Sequence, residues 1–342
     1  MNEHPNEWNP VTLPTEETSA VRDLRAERRR LAAPALAIAF IVLFTSVLQG
    51  LLVTLVHRYV PSLVDRDWYV IVMSMVPMYL VSMPLSLLFF RMTPSDPPKK
   101  KKLSIPVFLG LLAICFALTY AGNLIGSMVN LMLGTLTGKE QVNDLQNLTM
   151  NTPLWANLLF CGILAPILEE VFYRKLVIDR LRGLGDIPVI LISGILFGLI
   201  HGNFSQFFYA AFIGLILGYI YLNTGRLRYT IGLHMALNIV GGVYATEMMK
   251  ATAPLQSAAD PVAYLAEHPT VILWYAVYFG VILAAVIAAP IAIALLWKYI
   301  RFRRAKPPMR PGDWCRAALL NPAVWVLAGV IFILFLGSVI GV

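Results

Sequence analysis

What most constrains this chain is a succession of apolar runs, each long enough to cross a bilayer. A helix rises about 1.5 Å per residue, so roughly 20 apolar residues span some 30 Å of hydrocarbon. Such runs stand near 34–56, 69–90, 104–134, 154–176, 187–201, 206–222, 229–247, 270–299 and 323–341, the fifth being short. The reading is an all-α, polytopic transmembrane helix bundle of eight to nine spans. Composition agrees, because 13% charged residues against 58% hydrophobic, with a mean hydropathy of +0.71, lies far from the roughly 25% charge of a soluble domain. An integral, multi-pass protein follows, and the cell (plasma) membrane is its expected location.

A net charge of +8 invites a nucleic-acid reading, but the basic residues sit in short clusters between apolar runs. Those clusters fall on every second connection: Arg22 to Arg30, Lys99 to Lys102, Arg174 to Arg182, Arg226 with Arg228, and Arg301 to Arg310. This is the positive-inside pattern, so the charge reports orientation, with the amino terminus cytosolic and the carboxyl terminus outside. The expected organisation is a solvated tail over 1–32, with no cleaved signal peptide, followed by one transmembrane domain over 33–342. Partners are then the lipid bilayer and a membrane-associated protein or peptide, lipidated or not, and no nucleic acid. Cys115, Cys161 and Cys315 offer neither a pairing framework nor metal-ligand spacing and are expected as free thiols. Glycines recur at helical spacing at Gly194, Gly198 and Gly202, and again at Gly214 and Gly218, which predicts close packing of the fifth and sixth spans.

Inside this apolar frame three segments carry chemistry. The fourth holds Glu169, Glu170 and Arg174, the fifth ends in His201, and the seventh holds His234 and Asn238. Ionisable groups within spans cost about 2.5–3.5 kcal/mol each even on the lenient insertion scale, so they mark function by default. Glu170 and Arg174, four apart, stack on one helix face, while Glu169 points about 100° away. Arg174 can neutralise Glu170 and snorkel to the inner interface, which leaves Glu169 free for acid–base work. Pro166, with no N–H for the Gly162 carbonyl, predicts a kink beside the carboxylates. The bland alternatives are a structural ion pair for Glu170 with Arg174, and interhelical hydrogen bonding for the histidines and the amide.

Water attacking a peptide carbonyl needs a base, which Glu169 with His201 can supply, and donors for the oxyanion, which His234 and Asn238 can supply. One carboxylate and two imidazoles, Glu169, His201 and His234, also make a three-ligand site for a divalent metal such as zinc, with a position left for water. The residues alone leave both versions open.

Read in order, Glu169 to Arg174 is EExxxR, Phe197 to His201 is FxxxH, and His234 to Asn238 is HxxxN. This ordered triple, over 150–245, resembles the CPBP family of intramembrane metalloproteases, which includes the type II CAAX prenyl endopeptidases and bacteriocin-processing or immunity (Abi) relatives. The resemblance implies a protease in which Glu169 and His201 activate water, Glu170 and Arg174 support them, and His234 and Asn238 bind the oxyanion. The rival reading is a non-proteolytic scaffold, immunity protein or proton-coupled transporter built on the same buried polar residues.

Other protease signatures fit less well. Gly183-Leu184-Gly185-Asp186 resembles the GxGD of aspartyl intramembrane proteases but lies in a basic loop without a second intramembrane Asp, and no HExxH occurs. One tension remains along the chain: Glu169 falls toward the inner end of its run, His201 toward the outer end of its own. For the two to meet, the fourth helix must continue past Arg174 while the fifth starts deep, or residues 201–206 must form a buried loop.

Overall fold

A computed structural model describes residues 24–139, 143–304 and 311–340; part of the expected tail, part of the loop before Asp144 and part of the Arg301 to Arg310 cluster lie outside them. Among the described residues every regular element is helical. Seven helices have the length and hydropathy of spans. These are α1 (Leu24–Tyr59), α2 (Tyr69–Phe90), α3 (Ile105–Thr137), α5 (Leu154–Leu184), α7 (Phe204–Thr224), α10 (Pro269–Tyr299) and α12 (Pro322–Ile340). Short helices α4 (Asp144–Met150), α9 (Pro261–Glu267) and α11 (Pro311–Leu319) lie between them.

The other two of the nine expected spans are helices of a different kind. The chain over 186–199 forms α6 (Asp186–Leu199), whose 14 residues reach only about 21 Å. A continuous helix over 227–256, α8, falls below the hydropathy of a simple span because it carries His234, Asn238 and Glu247. The described part of α1 starts at Leu24 and runs through Pro34, so residues 24–32 are helical.

Helix α7 is the axis of the bundle. Its apolar stretch is 56% buried, against 17–33% for the other span-length helices. The expected close packing of α6 on α7 is present, and its cause is the absence of side chains. A methyl group on Gly194 would lie 2.8 Å from the Leu215 amide nitrogen, and one on Gly214 would lie 2.8 Å from the Gly194 Cα. Gly202, by contrast, takes no part in that packing; at φ +67° it makes the left-handed turn from α6 to α7.

The basic connections gather at one end of the bundle. Arg182 pairs with Asp96 at 3.1 Å, the Lys101 amide donates to the Thr224 carbonyl at 2.7 Å, and Asp186 and Arg303 exchange two hydrogen bonds through the Arg303 backbone. Asn321, just before α12, donates to the Arg28 carbonyl at 2.8 Å, so α1 and α12 start at the same end. The buried Asp186 of the GxGD string thus ties a loop to the start of α6.

Candidate active site

Helices α5 and α6 form a hairpin that turns at Gly185, whose φ of 92° suits only glycine. Glu169 and His201 stand equally far, 16 positions, on either side of that glycine. At about 1.5 Å per residue both lie some 24 Å along their arms, at one depth. The tension met along the chain disappears because α5 does not end near Arg174 but continues to Leu184, and because α6 stops short at Leu199 with the half-buried turn 200–203 inside the bundle.

Arg174 does not snorkel. Its side chain is fully buried and grips Glu170 through Nε to Oε2 at 2.9 Å and a terminal nitrogen to Oε1 at 3.1 Å, while its other terminal nitrogen donates to Ser193 Oγ of α6 at 2.9 Å. This fork satisfies a carboxylate that is also fully buried, which an unpaired charge there does not allow. Glu170 accepts a further hydrogen bond from His234 Nδ1 at 3.2 Å.

Glu169 is placed differently. Its side chain retains 13% exposure, its Oε1 accepts a hydrogen bond from the hydroxyl of Tyr79, and its Oε2 stands 3.7 Å from His234 Nε2. A neutral His234 that donates through Nδ1 has a lone pair at Nε2, so a proton or a water belongs between that nitrogen and Oε2.

His201 follows from its spacing to Phe197. The last carbonyls of a helix lack intrahelical donors, and the four-residue interval lets Nδ1 of His201 donate to the Phe197 carbonyl at 2.9 Å. That fixes the tautomer and leaves Nε2 with its lone pair. The Phe197 ring meets both imidazoles edge-on, with centroids 5.5 Å apart in each case, and so stands between His201 and His234.

Asn238 is held by a wide turn. Helix α5 carries an i→i−5 stretch at Asn157–Leu164, in which the Ala165 amide reaches back to the Phe160 carbonyl. The next residue in that pattern, Pro166, has no N–H, and the carbonyl it leaves unserved is that of Cys161 rather than the expected Gly162. Asn238 Nδ2 donates to it at 2.9 Å. Similar wide turns occur at Pro77–Ser82, Val171–Ile178 and Asn238–Tyr244, so every helix that contributes to the cluster except α6 carries one beside its polar residue. Such turns re-aim side chains and are frequent at functional sites.

Of the six sequence-derived residues, Glu169, Glu170, Arg174 and His234 are linked directly, His201 joins them through the Phe197 ring, and Asn238 is tied to α5 through the Cys161 carbonyl. Tyr79 is the addition that the motifs do not contain; a lone tyrosine in an apolar run carries no signal of its own. The three cysteines are free, as expected. The metal expectation fits less well. Among the described residues no three His, Cys, Asp or Glu side chains gather as a metal-holding group, and one oxygen of Glu169 and Nδ1 of His234 already have protein partners.

Residues 151–240 match the family model described as Rce1-like, type II CAAX prenyl endopeptidase. No curated protein and no solved structure matches the chain. Over residues 151–240, about a quarter of the chain, the protein is similar to type II CAAX prenyl endopeptidases, in agreement with the three motifs, and the similarity supports intramembrane CAAX-type proteolysis as the general class of activity.

Proposed function

We propose that this protein is an intramembrane endopeptidase that hydrolyses a peptide bond of a membrane-associated protein or peptide through a water activated by Glu169. The observation that carries the proposal is the contrast between the adjacent carboxylates. Glu170 is fully enclosed by Arg174 and His234, whereas Glu169 keeps some exposure and one oxygen, Oε2, that no protein donor satisfies at hydrogen-bond distance. The first is a support and the second is a base.

In this reading Glu169 takes a proton from the water as its oxygen attacks the scissile carbonyl, and His201 Nε2 accepts from the same water and orients it. The negative oxygen that develops is met by His234 as an imidazolium, which keeps its Nδ1–H on Glu170 and carries a second N–H at Nε2, and by the second N–H of the Asn238 amide, the first being held by Cys161. The proton on Glu169 then passes to the leaving amine as the carbon–nitrogen bond breaks. A divalent metal would draw on Glu169, His201 and His234 and would supply Lewis-acid activation of the water, but among the described residues those donors do not gather as a set. The positive-inside pattern makes the basic end of the bundle cytosolic, 24 Å or so from Glu169 along α5.

Purified protein in detergent, offered a quenched-fluorescent peptide library with prenylated and unprenylated members beside a Glu169→Gln variant, tests the proposal. Cleavage by the wild type and none by the variant is the expected result. Equal inertness of both on a broad library would sink the protease and favour the scaffold or transporter reading.

A further inference from the structure

Among the described residues Glu169 has one protein hydrogen-bond donor, and it comes from outside the matched stretch 151–240. Tyr79 lies on α2, only 6% exposed, and its hydroxyl donates to Glu169 Oε1. How α2 presents that hydroxyl follows from local sequence. Pro77 interrupts the i→i−4 ladder, and Pro77–Ser82 forms a wide turn in which the Met83 amide reaches back to the Met78 carbonyl. The turn is held in place by neighbours. Ser82 Oγ donates to the Pro77 carbonyl at 3.0 Å, Thr45 Oγ1 of α1 donates to Ser82 Oγ at 2.7 Å, and Gln49 Nε2 of α1 donates to the Ser74 carbonyl at 2.9 Å. Three polar side chains, those of Thr45, Gln49 and Ser82, are thus committed around the residue that reaches Glu169.

A carboxylate with two equivalent oxygens and free torsions presents either oxygen to a water. Occupying Oε1 breaks the equivalence: Oε2 alone remains without a hydrogen-bond donor, on the His234 side at 3.7 Å from Nε2. We infer that Tyr79 is a positioning residue for the reaction proposed above, locking the Glu169 carboxylate with Oε2 toward the attacking water, and that α1 and α2 act as the frame that sets its angle. The inference rests on the protease reading for its kinetic consequence, though the pairing itself does not. Preorganised geometry of this kind is worth one or more powers of ten in turnover, because a base displaced by about an ångström loses alignment with the proton it must take.

The test compares Tyr79→Phe with Tyr69→Phe, a control on the same helix whose buried hydroxyl lacks a hydrogen-bond partner. Tyr79→Phe is expected to lower kcat by about tenfold or more with KM within about twofold of wild type, while Tyr69→Phe leaves both unchanged. A merely structural role would instead lower the thermal unfolding midpoint and leave the kcat of the folded fraction intact. A second arm needs no activity: the infrared carboxylate band of Glu169, isolated by subtracting the spectrum of Glu169→Gln, is expected to move in Tyr79→Phe and to stay in Tyr69→Phe. A band that does not move, or a kcat within twofold of wild type, overturns the inference. A wild type that cleaves nothing while the band still moves overturns only the protease reading.

Discussion

Arg174 and Glu170, one helical turn apart, form a two-pronged ion pair with no solvent exposure on either side chain. Removing one member of such a pair strands the other, at a cost of about 3–5 kcal/mol. Arg174→Ala is therefore expected to unfold or aggregate in mild detergent. Arg174→Lys is expected to rescue only part of the loss, because an ammonium cannot reach both Glu170 oxygens and Ser193 Oγ with one planar fork. Thermal unfolding of the two variants checks this, and a wild-type melting temperature for Arg174→Ala would contradict the burial.

The α6–α7 contact predicts a different kind of sensitivity. Gly194→Ala places a methyl 2.8 Å from the Leu215 backbone nitrogen, where backbone has to shift. Overpacking of this kind costs about 1–3 kcal/mol, and the shift moves Ser193 and Phe197, hence Arg174 and both imidazoles. Gly241→Ala, with open space around the new methyl, is the matched comparison and is expected to be near neutral in stability. Melting temperatures of the pair measure the contrast.

His201 donates through Nδ1 to its own helix, so its chemistry is confined to Nε2. His201→Ala is expected to lower kcat by about 10²–10⁴-fold, the usual range for general acid–base assistance, and to leave folding nearly untouched. Because the donors are not gathered as a metal site, prolonged treatment with a strong chelator is expected to leave wild-type cleavage unchanged. Loss of activity on chelation, restored by zinc, would reverse the choice made between the two versions of the mechanism.

The spans and the order of the three motifs were legible along the chain, because hydropathy and four-residue spacing are local properties. Depth was not. Arg174 looks like an interfacial residue that ends a span, and only its enclosure by Glu170 and Ser193 shows that α5 goes on to Leu184 and brings Glu169 level with His201. The Gly162 carbonyl was the natural partner for a missing Pro166 amide in a regular helix, yet a wide turn transfers the vacancy to Cys161. Tyr79 could not be found from one chain, since its role arises where α2 crosses α5, 90 positions away.

Asn238 carries two tasks that mutation can separate. Its side chain closes the carbonyl that Pro166 leaves open at Cys161, and its second N–H is the proposed oxyanion donor. Asn238→Ala removes both, leaving a carbonyl unsatisfied at a cost of about 1–3 kcal/mol and lowering kcat by about 10²–10³-fold, as expected for a lost oxyanion donor. Pro166→Ala restores an N–H on α5 in register with Cys161, so the double variant Pro166→Ala with Asn238→Ala is expected to recover stability. It is not expected to recover turnover, because the restored amide points along α5 and not at the cavity. Recovery of both would make Asn238 a structural tie alone; recovery of neither would mean that the wide turn does not pass the Pro166 vacancy to Cys161.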